Sequence, residues 1–270
     1  MRSFQTERPK IMYSCYFNVS RQGEHFVPDH IFSFQVSGKL EVNTGNETHV
    51  FEEGDFRFSR RNQLAKFVKT PPLGGEFKSI SILLDQKTLL EISDEYGCKA
   101  DKQILQTDVV LLKNHTLYQN YIASIMPYLE MPHSDNEALF TLKVREAILL
   151  LLKVNPELKD FLFDFTEPGK IDLEAFMQQN FHFNVGMKRY AYLTGRSLAT
   201  FKRDFGKIFH TSPGHWLQHK RLQEAHYRIK EKGLKPSEVY LEVGFEDLSH
   251  FSYAFKKLFG VSPSKLFNEF

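Results

Sequence analysis

Two stretches near the end of this 270-residue chain hold side chains suited to gripping a phosphate backbone and reading base edges. The first has Thr200, Lys202, Arg203 and Lys207; the second has Ser249, His250, Ser252, Tyr253 and Lys256. Lysine and arginine neutralise phosphates, while hydroxyls bond phosphate oxygens or base edges. Each set shares its stretch with a phenylalanine row, Phe201, Phe205 and Phe209 in one and Phe251, Phe255 and Phe259 in the other. Residues at i, i+4 and i+8 form one stripe of a helix, so each stretch reads as an amphipathic helix with a polar outer face.

The two stretches are copies. The phenylalanines recur at an offset of 50, as do Ser212-Pro213 (Ser262-Pro263), Lys207 (Lys257) and Leu217 (the apolar Phe267). Gly195 recurs as Gly244 at an offset of 49, so the second turn is one residue longer. Such internal similarity points to a paired module. In the first copy Met187–Thr194 reads as a helix, Gly195 as the turn, and Ser197 as the N-cap of a helix ending at Phe209. In the second, Pro236 opens a helix with Val239 and Val243 on one face. Gly244 turns the chain, and Asp247 caps a helix to Phe259. Two helices across a tight turn, the second of them polar and basic, fit a helix-turn-helix.

Between the copies Ser212 caps, Pro213 opens and Gly233 closes a helix over Pro213–Lys232. Twenty residues of helix span roughly 30 Å, close to the roughly 34 Å of one DNA turn. Such a rod can hold two recognition helices in successive major grooves. A phenylalanine stripe alone favours an ordinary helical core. The duplicated turn, the caps and the basic faces together favour DNA binding.

The run Val243-Gly244-Phe245-Glu246-Asp247, Phe251, Phe255-Lys256-Lys257, Phe259-Gly260 and Ser262-Pro263 closely resembles the signature of AraC/XylS-type transcription regulators. Ala191, Ser197-Leu198, Phe201-Lys202-Arg203, Phe205, Arg221 and Ala225 agree with it. The resemblance covers about residues 171–270. Tyr240 departs from it, standing where the family usually has a small residue. The resemblance implies base contacts from Ala199, Lys202 and Arg203 in the first motif and from Ser249, His250, Ser252 and Tyr253 in the second, with Ser197 and Thr200 on phosphate. Arg203 is the strongest candidate, because its fork can take guanine O6 and N7 together. The resemblance also implies double-stranded DNA and RNA polymerase as partners, activation more often than repression, and a bacterial cytoplasm.

Composition fits a soluble globular chain: 41% hydrophobic, 25% charged, net charge +2. The charge is unevenly placed. Residues 170–270 hold 16 Lys and Arg against 10 Asp and Glu, and residues 1–169 hold 19 against 23. A basic back half and a mildly acidic front half suit a DNA-binding domain tethered to a regulatory one. Met1-Arg2-Ser3-Phe4-Gln5 lacks the apolar core of a leader, and no apolar run is long enough to span a membrane. Cys15 and Cys98 are too few and too scattered for a disulfide framework, and reduced thiols are expected.

Residues 10–84 read as short strands and turns: Ile31–Val36, Lys39–Val42, Thr48–Phe51, Phe56–Ser59, and an alternating strand with Ile80, Ile82 and Leu84. Asn43-Thr44-Gly45-Asn46 is a hairpin signal and Glu53-Gly54-Asp55 a turn. Such a succession predicts a sandwich or barrel, and the family resemblance implies a cupin-like barrel that senses an effector. His25, His30 and His49 with Glu41 are the candidate metal ligands. No His-x-His precedes residue 180 and no three-ligand set is evident, so each reads as a loop or surface histidine and no metal or cofactor is expected. No phosphate loop, nucleophile elbow or paired Cys and His supports catalysis, and no catalytic residue is assigned. Arg57, Arg60, Arg61, Lys66 and Lys69 form a basic run, either a solvated face or a site for an anionic ligand or acidic partner.

Asp85 is placed to cap a helix through Leu89, Leu90 and Ile92. Ser134 and Glu137 have capping-box spacing for a helix to about Val154, which Pro156 ends. Phe140, Val144, Ala147, Ile148, Leu151 and Val154 form one apolar face, and Leu139, Leu142, Leu149, Leu150 and Leu152 occupy other sides. Such a helix must be covered on both sides. One side can cover its own barrel, and a homodimer through helix 134–154 is expected for the other; full burial within one chain is the alternative. The expected fold is α+β: a cupin-like β-barrel with appended helices over 1–155, a linker at 156–170 with Phe161, Phe163 and Phe165 as docking points, and an all-α domain over 171–270. The helix-turn-helix motifs fall at about 187–209 and 236–259, joined by the long helix. The leading function is a DNA-binding transcription regulator. Its front half answers either to a small molecule or to a protein partner. An enzyme with a DNA-binding tail is the third class.

Overall fold

A computed structural model describes residues 10–21, 25–45, 47–102, 109–130 and 136–268. The chain divides into two compact units, the first ending at Thr166 and the second beginning at Glu167, with a short stretch about Phe26 grouped with the second.

The first unit is β-rich. Strands β1 (Ile11–Tyr16), β2 (Phe26–Val27), β3 (His30–Ser37), β4 (Lys39–Asn43), β5 (Thr48–Phe51), β6 (Phe56–Ser59), β7 (Gln63–Leu64), β8 (Lys66–Thr70), β9 (Phe77–Leu84) and β10 (Val109–Leu112) make three sheets. The largest is antiparallel, in the order β1-β9-β3-β6-β10; β5-β4-β8 form the second, and β2-β7 pair separately. Among the described residues the hydrogen bonding does not close into a barrel. The register of β3 shifts between Gln35 and Ser37, and Gly38 follows at φ +80°. That bulge turns the chain from the first sheet into the second instead of carrying one ladder round. The hairpin at residues 43–46 forms as expected, with Asn43 opposite Thr48; Asn46 lies outside the described residues.

One face of the five-stranded sheet, with Phe32, Ile80 and Ile82, packs against helices α1 (Gln86–Tyr96), α2 (Thr116–Ile125), α3 (Glu137–Val154) and α4 (Lys159–Leu162). Its other side meets Leu40, Val42 and Phe51 of the second sheet. Asp85 caps α1, accepting from Thr88 N at 2.9 Å, but Leu90 of that helix is exposed. Helix α3 opens at Glu137, after Asn136, which makes no side-chain cap bond. The proposed partner Ser134 lies outside the described residues. Phe140, Val144, Ala147, Ile148 and Leu151 are buried, whereas Leu139, Leu142 and Leu149 are exposed.

Three expectations are corrected in this unit. The stretch foreseen as a linker is folded in its first part, since α4 and the turn before it bury Leu158, Phe161, Leu162 and Phe163 in the first unit's core. The basic run is not a solvated face. Arg57 is buried and donates to Gln35 Oε1 at 3.4 Å, and burial pushes its guanidinium down to about 10. Arg61, also buried, donates to the carbonyls of Asp164 (2.9 Å) and Thr166 (3.1 Å). Finally, His30 is not a surface histidine. It is 1% exposed, stacks on Phe58, and accepts from Arg61 N at 3.3 Å; burial and the nearby arginines push its pKa down to about 3.

The second unit is helical: α5 (Leu173–Asn180), α6 (Met187–Leu193), α7 (Leu198–Phe209), α8 (Pro213–Lys232), α9 (Pro236–Glu242), α10 (Leu248–Phe259) and α11 (Pro263–Asn268). Phe201, Phe205, Phe251 and Phe255 are fully buried. Burial of each such side chain contributes roughly 1.5–3 kcal/mol. This periodic apolar content, not helix propensity, holds such short helices.

Candidate nucleic-acid interface

Both motifs are built by one backbone device. Arg196 N donates to Ala191 O, and Phe245 N donates to Tyr240 O, each at 2.9 Å. Gly195 N reaches Tyr192 O and Gly244 N reaches Leu241 O in the same way. Both glycines have positive φ, +64° and +99°. A Cβ on Gly195 would lie 2.3 Å from the carbonyl carbon of Gly169, and one on Gly244 would lie 2.7 Å from His182 O. Glycine is therefore demanded twice at each turn, by conformation and by close approach. Tyr240, the departure from the family pattern, leaves these bonds intact; its ring is half-buried, 6.4 Å from that of Phe251.

The two turns are then filled differently. In the first, Arg196 donates to Asp204 Oδ2 (3.2 Å) and to the carbonyls of Ile171 and Thr194. In the second, Phe245 is buried with its ring 5.2 Å from Phe251. The caps fall where the spacing placed them. Ser197 accepts from Thr200 N at 3.2 Å and Asp247 from His250 N at 2.6 Å. The extra residue of the second turn sits between Gly244 and that cap.

Arg221 of α8 ties the motifs together. Its guanidinium donates to Phe181 O (2.7 Å), Phe183 O (2.7 Å) and Gly244 O (2.8 Å). The first two carbonyls precede the first motif, and the third belongs to the turn of the second. Sequence reasoning noted Arg221 only as part of the family pattern. Its signal, an arginine between Leu217 and Leu222 on the connecting helix, does not reveal which carbonyls it meets. Beside it a cleft of about 490 Å³ is lined by residues of both motifs and of α8, including Asn184, Met187, Gln218, Glu246 and His250.

On the outer faces, Ser197, Ala199, Lys202 and Arg203 are exposed and Thr200 is half-buried. Ser249, His250 and Tyr253 are exposed and Ser252 is half-buried. The structure thus gathers each set on one end of its helix, opposite the phenylalanines. Arg203 is 66% exposed, with Asp204 Oδ1 3.6 Å from its Nε. A surface pair of that kind is weak, about 0–1 kcal/mol, so the fork can leave it for a ligand.

Residues 190–269 match the model of a helix-turn-helix domain family, and residues 30–161 match that of the ExsA N-terminal regulatory domain. The chain belongs to the AraC/XylS family of transcription regulators. It is similar to the virulence regulon transcriptional activator VirF of Yersinia enterocolitica, at 25% identity over 241 residues, which is 85% of this chain and 86% of VirF. It is also similar to the HTH-type transcriptional regulator ExsA of Pseudomonas aeruginosa, at 21% identity over 265 residues, 95% of this chain and 92% of ExsA. Among solved structures, an apo ToxT variant of Vibrio cholerae aligns at 12% identity and a TM-score of 0.46, over 97% of this chain and 98% of that one. This AraC/XylS member is a DNA-binding transcription regulator, and its family comprises regulators, not enzymes. Among the described residues, no helix is long and apolar enough to cross a membrane, and no three His, Cys, Asp or Glu side chains are grouped to hold a metal.

Proposed function

We propose that the protein binds a DNA site with two information-bearing blocks, read in successive major grooves by α7 and α10. The supporting observation is the duplicated, capped turn-and-helix at either end of α8, whose 20 residues give roughly 30 Å of separation. Lys202, Arg203 and Ala199 contact bases in the first block; Ser249, His250, Ser252 and Tyr253 do so in the second. Ser197 and Thr200 hold phosphate. Residues 171–270 form the DNA-binding domain, and the first unit regulates and dimerises. The exposed Leu139, Leu142 and Leu149 of α3 form the dimer contact. The protein acts as an activator through RNA polymerase in a bacterial cytoplasm, a reading that the name of VirF supports.

Selection of bound duplexes from a random pool at two salt concentrations tests this. Two blocks about one helical turn apart are expected. A single block would leave one motif holding backbone alone, and no enrichment at either salt would overturn the reading. A second reading concerns the regulatory signal. Arg57 donates to Gln35 and Arg61 to the carbonyls of Asp164 and Thr166 inside the first unit, which favours a protein partner over an anionic ligand as the controlling signal. Thermal melting of the full chain with a metabolite mixture and with fractionated extract protein separates the two.

A further inference from the structure

The second reading helix differs from the first in a way that predicts which base it selects. At the offset of 50, Tyr253 occupies the place of Arg203, Ser249 that of Ala199, and Ser252 that of Lys202. Tyr253 is 70% exposed, and Leu248 at the helix start is 40% exposed. The entry to α10 carries Glu246 and Asp247, both exposed, while Ser197 caps α7 with no charge. The first turns of α10 therefore offer no lysine or arginine to guanine, His250 being their one basic side chain, and present two carboxylates that repel phosphate. What they offer beside His250 is an aromatic ring flanked by serines and a leucine.

On the major-groove edge of a base pair, the apolar group is the C5-methyl of thymine. From this we infer that α10 selects thymine, with the ring of Tyr253 packing on its methyl group and Leu248 beside it, whereas α7 selects guanine through Arg203. The inference rests on the assignment of α7 and α10 as reading helices. Tyrosine can also donate its hydroxyl to a phosphate, so the test separates ring from hydroxyl.

The full-length protein is titrated against its selected duplex, with deoxyuridine replacing each thymine of the second block in turn. At one or two positions the missing methyl is expected to weaken binding about fourfold, the equivalent of ~0.8 kcal/mol for one buried methyl group. Tyr253→Phe is expected to keep the difference between thymine and uracil duplexes, since the ring is retained. Tyr253→Ala is expected to lose affinity and to bind thymine and uracil duplexes equally, with an unchanged melting temperature because the side chain is exposed. A second block without thymine overturns the inference, as does insensitivity of every position to the methyl. A Tyr253→Phe variant that binds all sequences more weakly by one factor makes the residue a phosphate contact. If Arg203→Ala and Tyr253→Ala both leave the selected motif unchanged, the assignment of the reading helices is what fails.

Discussion

The two helix-turn-helix motifs share their backbone bonds, their capped helices and their phenylalanine stripe, and differ in what fills the turn and in the outer face. Arg196 paired with Asp204 fills the first turn, and Phe245 against Phe251 fills the second. Trp216 lies on the Phe205 and Phe209 rings of α7, while His226 lies on the Phe255 and Phe259 rings of α10. The first helix ends on His210 at φ +53°, a left-handed conformation that the second gives to Gly260 at φ +78°. The reading faces have diverged most, Arg203 in one and Tyr253 in the other. The capped helices, the glycine turn and the phenylalanine stripe are what the fold requires. The filling of the turn and the outer face are free to differ, because neither alters the backbone path.

The largest effect is expected where the motifs depend on each other. Arg221→Met strips three carbonyls of a charged donor, each bond being worth roughly 1.5–3 kcal/mol. Denaturant unfolding should show a loss of about 3 kcal/mol or more, with the second block recognised less well than the first. A change below ~1 kcal/mol would remove Arg221 as the tie. Next come Gly195→Ala and Gly244→Ala. Left-handed backbone costs a side-chain-bearing residue about 1–2 kcal/mol, and the clashes add to it. Gly195→Ala should be the worse of the two, because its Cβ would lie within 2.5 Å of backbone atoms of Gly169 and Lys170, whereas the closest approach to that of Gly244 is His182 O at 2.7 Å. Equal tolerance of both by thermal melting would break the claim of a shared device.

Arg203→Ala should weaken specific binding by roughly 1–3 kcal/mol and relax one base position, while scrambled DNA is held nearly as before. An equal loss on both duplexes would make Arg203 a phosphate contact. The smallest effect concerns the helix ends. His210→Gly should raise stability by about 0.5–1 kcal/mol, since glycine adopts the left-handed cap without strain. Gly260→His should lower it by a similar amount, and melting of the two variants checks both signs.

Legibility was uneven for physical reasons. In the last hundred residues every element of the repeat has a local cause: Ser197, Ser212 and Asp247 cap, Pro213 and Pro236 start helices, Gly233 stops one, and the phenylalanines keep helical period. Each of these acts within a few residues, so each is visible in one dimension. The strands about the 43–46 hairpin were legible in the same way. Strand β10 and helix α2 were not, because Val109–Leu112 is short and α2 has Tyr118 and Tyr121 as its buried anchors without a cap of strong signal. The basic run misled for a related reason. An arginine's charge is written in the sequence, but its exposure depends on the fate of Gln35, Asp164 and Thr166, which are distant along the chain from Arg57 or Arg61.

The sequence by itself determined the paired motif, the placing of its caps and turns, the 20-residue rod between them and the polar faces that this reading assigns to DNA. Short-range geometry is enough for all of these. Only the tertiary structure decided that Arg57, Arg61 and His30 are interior groups and that the register of β3 shifts between Gln35 and Ser37. It also decided that Arg221 holds Phe181, Phe183 and Gly244 together. Those outcomes depend on which distant carbonyls and rings a long side chain meets once the elements have packed. No local pattern encodes that meeting.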